Sequence, residues 1–245
     1  KQPFRPTFHP ERLDEPLRMK KPKRIAVSFM GDLWNSAVPR QCQADVLSAA
    51  LRAYRARGHT FLFLTKRPEN MANTVRTWLA SADFRFLPRK IPATFWFGTS
   101  IANQADADAR LPHLLKCPGN LWVSYEPMQG GVRIDKWLDP VMQLRDAHIG
   151  WVVAGGGPFP VHPDWVRSIR DQCRAANVPW WFKSWGDWYP NDERLLMDDH
   201  ELARHIDAAD IEPQMCGPQY GGLEFYRVGK KAAGCMLDGK KYHTL

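Results

Sequence analysis

The sequence has no apolar run near the roughly 18 residues that a membrane-spanning helix needs. Its first apolar stretch, Ile25 to Met30, is too short and too far along the chain for a signal peptide. A cytoplasmic protein that spans no membrane is therefore expected. There is no CxxC pair and no zinc-type spacing. The five cysteines, Cys42, Cys117, Cys173, Cys216 and Cys235, are odd in number and far apart. Reduced thiols are expected, and no metal site within these residues. The HExxH, GxSxG, P-loop and GxGxxG patterns are all missing, so the common zinc-protease, serine-hydrolase, triphosphatase and dinucleotide signatures do not apply. Acidic residues are in the minority: 34 Lys and Arg against 26 Asp and Glu give a net charge of +8. That excess favours a polyanionic partner such as a nucleotide or nucleic acid.

What is present is ordinary globular material. Hydrophobic residues make up 44% and charged residues 24% of 245 positions, enough for one large domain or two small ones. Short apolar runs at 24–30, 59–64, 93–98, 120–124, 149–154 and 179–183 read as strands buried on both faces, as in parallel sheets. Helical patterns lie between them at 40–57, 68–80, 103–116 and 163–176. Gly58 stands where a C-terminal cap belongs, and Pro163 suits a first helical turn. The alternation predicts an α/β fold of parallel strands with right-handed crossovers, either an open doubly wound sheet or a (β/α) barrel. From about Pro190 the periodicity fades. The expected division is a main domain over 1–189 and an appendage packed on it over 190–245, with Asp198, Asp199 and His200 in a solvated loop.

In parallel α/β folds, sites form at the C-terminal strand ends. The residues there are polar: Asp32, then Thr65, Lys66 and Arg67, then Ser100 and Asn103, then Ser124 and Glu126, then Gly155 and Gly156, then Lys183 and Trp185. Asp32 suits a turn cap as well as a catalytic role, and Thr65, Ser100 and Asn103 suit helix caps as well as ligand contacts. Glu126 and Lys183, each a charge at the end of an apolar strand, point to function. The glycines let backbone approach a ligand or simply make a turn. Most of the eleven tryptophans fall at core positions and are not expected to read bases.

A series of ordered phrases carries a resemblance along nearly the whole chain: FHPERL at 8–13, KKPKRIAVSFMGDL at 20–33, TFLFLTKRPENM at 60–71, FGTSIANQ at 97–104, SYEP at 124–127, HPDWVRSIRDQC at 162–173, PWWFKSWGDW at 179–188 and RVGKKAAGCMLDG at 227–239. The chain resembles an uncharacterised family of phage and prophage proteins that carry an N-terminal three-cysteine motif like that of radical S-adenosylmethionine enzymes. The resemblance implies a (β/α) partial TIM-type barrel, a [4Fe–4S] cluster and S-adenosylmethionine. It further implies hydrogen abstraction from a nucleotide or nucleic acid in a host cytoplasm. Within such a barrel Asp32, Glu126 and Lys183 are the expected catalytic residues. Thr65, Lys66, Ser100, Asn103, Ser124, Gly155 and Gly156 would bind the cofactor, and Arg67 and Trp185 the substrate. The three-cysteine segment is not among these residues, and the expectation is that it stands before Lys1. Where relatives have Gly-Gly-Glu and a longer loop, Gly155-Gly156 runs into Gly157-Pro158-Phe159, and Cys235 replaces an arginine. Two other functions stay open. One is a non-catalytic nucleic-acid or partner-binding protein using Lys20, Lys21, Lys23, Arg24, Lys230, Lys231, Lys240 and Lys241. The other is a cluster-free hydrolase or lyase built on Glu126 and Lys183.

Overall fold

The structure, a computed structural model, describes residues 6–80, 90–139, 147–194 and 200–242. Asp198 and Asp199 lie outside them, and His200 opens a helix. The strands β1 (Arg24–Val27), β2 (Thr60–Thr65), β3 (Phe95–Ile101), β4 (Gly119–Tyr125), β5 (Ala147–Gly155) and β6 (Trp180–Ser184) form one six-stranded sheet in that order. β1 pairs parallel with β2, β2 with β3, and β5 with β6. The helices are α1 (Glu15–Arg18), α2 (Arg40–Arg57), α3 (Pro68–Ala80), α4 (Gln104–Leu114), α5 (Asp135–Leu138) and α6 (Pro163–Ala175), then α7 (Asn191–Arg194), α8 (His200–Ala208) and α9 (Lys230–Ala233). The class is mixed α/β. Strand order follows chain order without reversal, so these six strands have no switch point of the doubly wound kind.

Four strand ends differ from the sequence pattern for local reasons. β1 stops at Val27, because Ser28 has φ +55° and its carbonyl accepts from Gly31 N–H at 3.0 Å. β3, β4 and β6 run past their apolar cores to Ile101, Tyr125 and Ser184, since ladder bonds do not need apolar side chains. Burial also corrects one expectation. β2 alternates half-buried and buried residues, and β1 alternates exposed and half-buried ones. They are covered on one face, not two. Among the described residues no helix is long and apolar enough to cross a membrane.

Contacts divide the chain into two compact units. One comprises Lys1–Thr99, Arg110–Trp122 and Gln143–His148; the other Ser100–Ala109, Val123–Met142 and Ile149–Leu245.

In the first unit the registered pairs Phe61–Phe95 and Phe63–Phe97 set their rings 5.3 and 5.0 Å apart. All four are fully buried, as are Leu47 and Leu51 of α2 and Met71 and Val75 of α3. Each such side chain contributes about 1.5–3 kcal/mol of burial, more than any surface ion pair. Two polar ties join α2 to α3: Thr74 Oγ1–H donates to Gln43 Oε1 at 2.8 Å, and Trp78 Nε1–H to Ser48 Oγ at 3.0 Å. Trp122 lies across Gly98, where a Cβ would fall inside the indole, and its Nε1–H donates to Phe63 O at 3.0 Å. His59 is buried with both ring nitrogens used. Nδ1 accepts from Lys23 N–H, so Nε2 carries the proton and donates to Pro16 O.

In the second unit α6 begins with Pro163 after His162, whose Nδ1 accepts from Asp164 N–H at 3.1 Å. It buries Val166, Ile169 and Cys173. A second sheet has the antiparallel order β7-β9-β8, from β7 (Trp188–Pro190), β8 (Gln214–Met215) and β9 (Glu224–Arg227). β10 (Met236–Leu237) and β11 (Lys240–Lys241) form a hairpin. An ion cluster ties α6 to this region. Arg167 donates to Glu193, whose side chain is fully buried, and to Asp238 at 2.9 Å, while Arg170 Nη1 reaches Asp238 Oδ2 at 2.6 Å. Burial raises Glu193 above the usual carboxylate range. Burial also pushes Asp238 up, but hydrogen bonds from Arg167 and Arg170 outweigh it and hold the carboxyl below its usual value.

Removing one partner of a buried pair strands the other charge. Arg167→Ala is expected to cost about 3 kcal/mol, a fall in melting temperature of roughly 6–12 °C. With Glu193 raised, the native state binds the extra proton first. The cost of its charge therefore disappears as pH falls through the raised value. The Arg167→Ala deficit should be larger at pH 7 than at pH 5 in calorimetry of both proteins.

Candidate functional site

Each unit carries one polar assembly at the C-terminal ends of its strands. In the first unit the centre is Asp32. Its Oδ1 accepts from Thr65 Oγ1–H at 2.7 Å and from Trp34 N–H at 3.0 Å. Its Oδ2 accepts from Arg67 Nη1–H at 2.8 Å and from Lys66 N–H at 3.3 Å. Four donors on one carboxylate, 17% exposed, tie the β1–α2 connection to the β2–α3 connection. Thr65 also accepts from Arg67 N–H at 2.8 Å, and Thr99 Oγ1–H donates to Thr65 O at 2.8 Å. Asp32, Thr65, Lys66 and Arg67 are thus brought together, with Lys66 and Arg67 leaving exposed side chains. Trp34, Thr99 and Asn70, which donates to Trp34 O at 3.0 Å, belong to the same assembly. Thr99 stands at a polar strand end in the sequence; the types and spacing of Trp34 and Asn70 gave no sign of it.

In the second unit the centre is Glu126 and Lys183. Lys183 Nζ–H donates to both Glu126 oxygens, at 2.8 and 2.9 Å. Glu126 directly follows β4 and Lys183 lies in β6, so the pair spans β5 at Gly155. A Cβ there would lie 3.4 Å from the Glu126 carboxyl and 3.5 Å from Lys183 Cβ. The side chains are 21% and 41% exposed, so the pair is worth about 1 kcal/mol or less. A charged ligand can part it cheaply. Gly156 instead makes room for backbone, since a Cβ would fall on the carbonyl of Trp185. Its N–H donates to Ser184 O at 2.8 Å. Ser124 is buried in β4. Asn103 caps α4, its Oδ1 accepting from Asp106 N–H at 3.0 Å. Ser100 is half-buried in β3. Trp185 is fully buried, its Nε1–H donating to Met236 O at 2.6 Å. Its ring therefore faces the core. Tyr125, unforeseen, donates to Gly130 O, and burial pushes its phenol well above the usual range.

The donor set does not fit a three-thiolate iron–sulfur cluster. All five cysteines are free thiols. Burial pushes Cys173 up to about 12 and Cys117 still higher, against the thiolate form that a metal needs. Among the described residues no group of three His, Cys, Asp or Glu side chains could hold a metal ion.

Asp32 and Arg67 should therefore respond differently to truncation. Asp32→Ala leaves four donors without their acceptor and is expected to cost about 1–3 kcal/mol in urea unfolding. Arg67→Ala, removing one half-exposed partner, is expected to cost about 1 kcal/mol or less.

Neither a curated protein nor a solved structure matches the chain. One family matches residues 2–245, described as a protein of unknown function (DUF5131). That match covers nearly the whole chain, and the protein belongs to the DUF5131 family.

Proposed function

We propose that the chain is the body of a (β/α) partial TIM-type barrel enzyme acting on a nucleotide or nucleic acid. Its chemistry is placed at the C-terminal strand ends and is of the radical S-adenosylmethionine type. Support for the barrel comes from strand order that follows chain order without reversal. The observation that carries the function is the Glu126–Lys183 pair over Gly155. S-adenosylmethionine ends in an ammonium and a carboxylate. Glu126 matches the first in charge and Lys183 the second, and parting them costs little. The described residues supply no thiolates for a cluster, so the three required would come from a segment outside these 245 residues. The described residues take binding and positioning roles only.

The same pair favours a second possibility, a cluster-free hydrolase or lyase with Glu126 as base and Lys183 as its charge partner. The two separate cleanly. The product of the complete gene, purified without oxygen, reconstituted with iron and sulfide and reduced, is expected to release 5′-deoxyadenosine from S-adenosylmethionine. No release from a preparation with an intact N-terminus would remove the radical chemistry. Activity in air without S-adenosylmethionine would establish the cluster-free enzyme. In the cluster-free enzyme Glu126→Gln is expected to lower turnover by about 100-fold or more, and in the radical enzyme to weaken S-adenosylmethionine binding, in both cases with an unchanged melting temperature showing that the fold is kept.

A further inference from the structure

A patch of exposed cations and rings lies beside the Glu126–Lys183 pair, within the second unit. Gly157 packs on Pro127, the residue after Glu126; a Cβ at 157 would lie 2.7 Å from Pro127 Cβ. Asp187 N–H donates to Gly157 O at 2.9 Å. From there two segments run side by side. Pro158 O accepts from Trp188 Nε1–H at 3.0 Å, which seats Trp188 next to Phe159. Phe159 is 54% exposed, although Pro160 behind it is buried and its carbonyl accepts from Tyr220 Oη–H at 3.0 Å. An anchored backbone therefore presents an open phenyl face.

The cations come from the other side. Arg227 is registered opposite Trp188, and its guanidinium lies 5.6 Å from that ring. Gly229 N–H donates to Asp187 O at 3.0 Å, which brings Lys230 and Lys231 to the same place. Arg227, Lys230 and Lys231 are exposed, and no ion pair joins them to a carboxylate among the described residues. The one acid in residues 227–241, Asp238, is held by Arg167 and Arg170. Asp187 is the acidic side chain inside the patch, and one carboxylate does not offset three cations.

We infer that this patch binds single-stranded nucleic acid, with a base stacked on Phe159 and phosphates against Arg227, Lys230 and Lys231, so that the strand is led to the Glu126–Lys183 site. The inference rests on the strand-end site of the proposed function and names its substrate as a polymer, not a free nucleotide. An uncompensated cation row alone would suit a duplex or an acidic protein equally. The open ring beside it favours unpaired bases, whose faces are free to stack.

The test is fluorescence anisotropy of labelled oligothymidylate with the full-length protein over a salt series. The double reversal Lys230→Glu/Lys231→Glu is expected to weaken binding tenfold or more. It should also reduce the slope of log K against log salt by about 1.4, the value for two lost single-strand phosphate contacts. Phe159→Ala is expected to weaken binding about 5- to 100-fold while leaving the slope unchanged. Lys90→Glu/Lys116→Glu, an equal change of net charge at two exposed positions outside the patch, should leave both nearly as they were. Wild-type binding in Phe159→Ala together with the 230/231 reversal, or equal loss in the 90/116 control, would overturn the inference. So would tighter binding of duplex than of single strand, or displacement only by an acidic polypeptide. Turnover, measured beside binding in the wild type and the patch variants, separates the two proposals. Patch-dependent binding without turnover in the wild type would leave this inference standing and remove the enzyme. Turnover of a mononucleotide, unaffected by the patch variants, would do the reverse.

Discussion

Parallel strands cannot be joined by tight turns; each must be reached by a crossover that returns the chain to the same starting edge. Everything chemical in this protein follows from that constraint. The crossovers leave the C-terminal ends of β2 to β6 to residues that are not needed to close a hairpin, and Thr65, Thr99, Ser124, Glu126, Gly155 and Lys183 occupy them. Helices α2 and α3 bury the Phe ladder on one face of β2 and β3, and that burial holds the first unit together. The strand ends are thereby relieved of a structural burden and can hold groups that stabilise little.

The two carboxylates at those ends show how differently that freedom is used. Asp32 accepts four hydrogen bonds, two from backbone N–H groups and two from side chains. Its lone pairs are spoken for, and a ligand would have to break loop-to-loop ties to reach them. Among the described residues Glu126 has a single partner, Lys183, at the tip of a long and partly exposed side chain. The same functional group is thus a joint in one unit and an available charge in the other. Number of donors, more than burial, separates the two. Asp32, which the sequence suggested as a catalytic residue, has the geometry of a brace.

Much of the framework could be read from the residues. Helices α2 and α3 start and stop at the expected positions, because Gly58 at φ +70° and Pro68 mark their ends. Asn103 and Pro163 likewise open helices where side-chain chemistry says they should. Less visible are features that depend on a second segment brought near by folding. Ser28 gives no sign of a positive φ, so the apolar run through Met30 overstates β1. The tail beyond Pro190 lacks periodicity because its strands are two to four residues long and its order comes from the Arg167–Asp238–Glu193 ties. In the site, the pairing of Glu126 with Lys183 joins residues 57 apart; their types suggest chemistry, but only the sheet order shows that one glycine-bearing strand separates them. Trp185 resembles a ligand contact because it follows Lys183 so closely. Alternation along β6 would set position 185 on the side of Lys183, but the strand ends at Ser184 and the indole goes to the core.

Gly98 and Trp122 form a lock between β3 and β4 in which one residue's missing side chain is the other's seat. Neither identity has meaning alone. A methyl group at 98 displaces the indole from its bond to Phe63 O, while a small residue at 122 leaves an unfilled space over a bare backbone. A side chain at 98 therefore fits only with a smaller ring at 122, so the two positions form one unit of packing that a change at either alone takes apart.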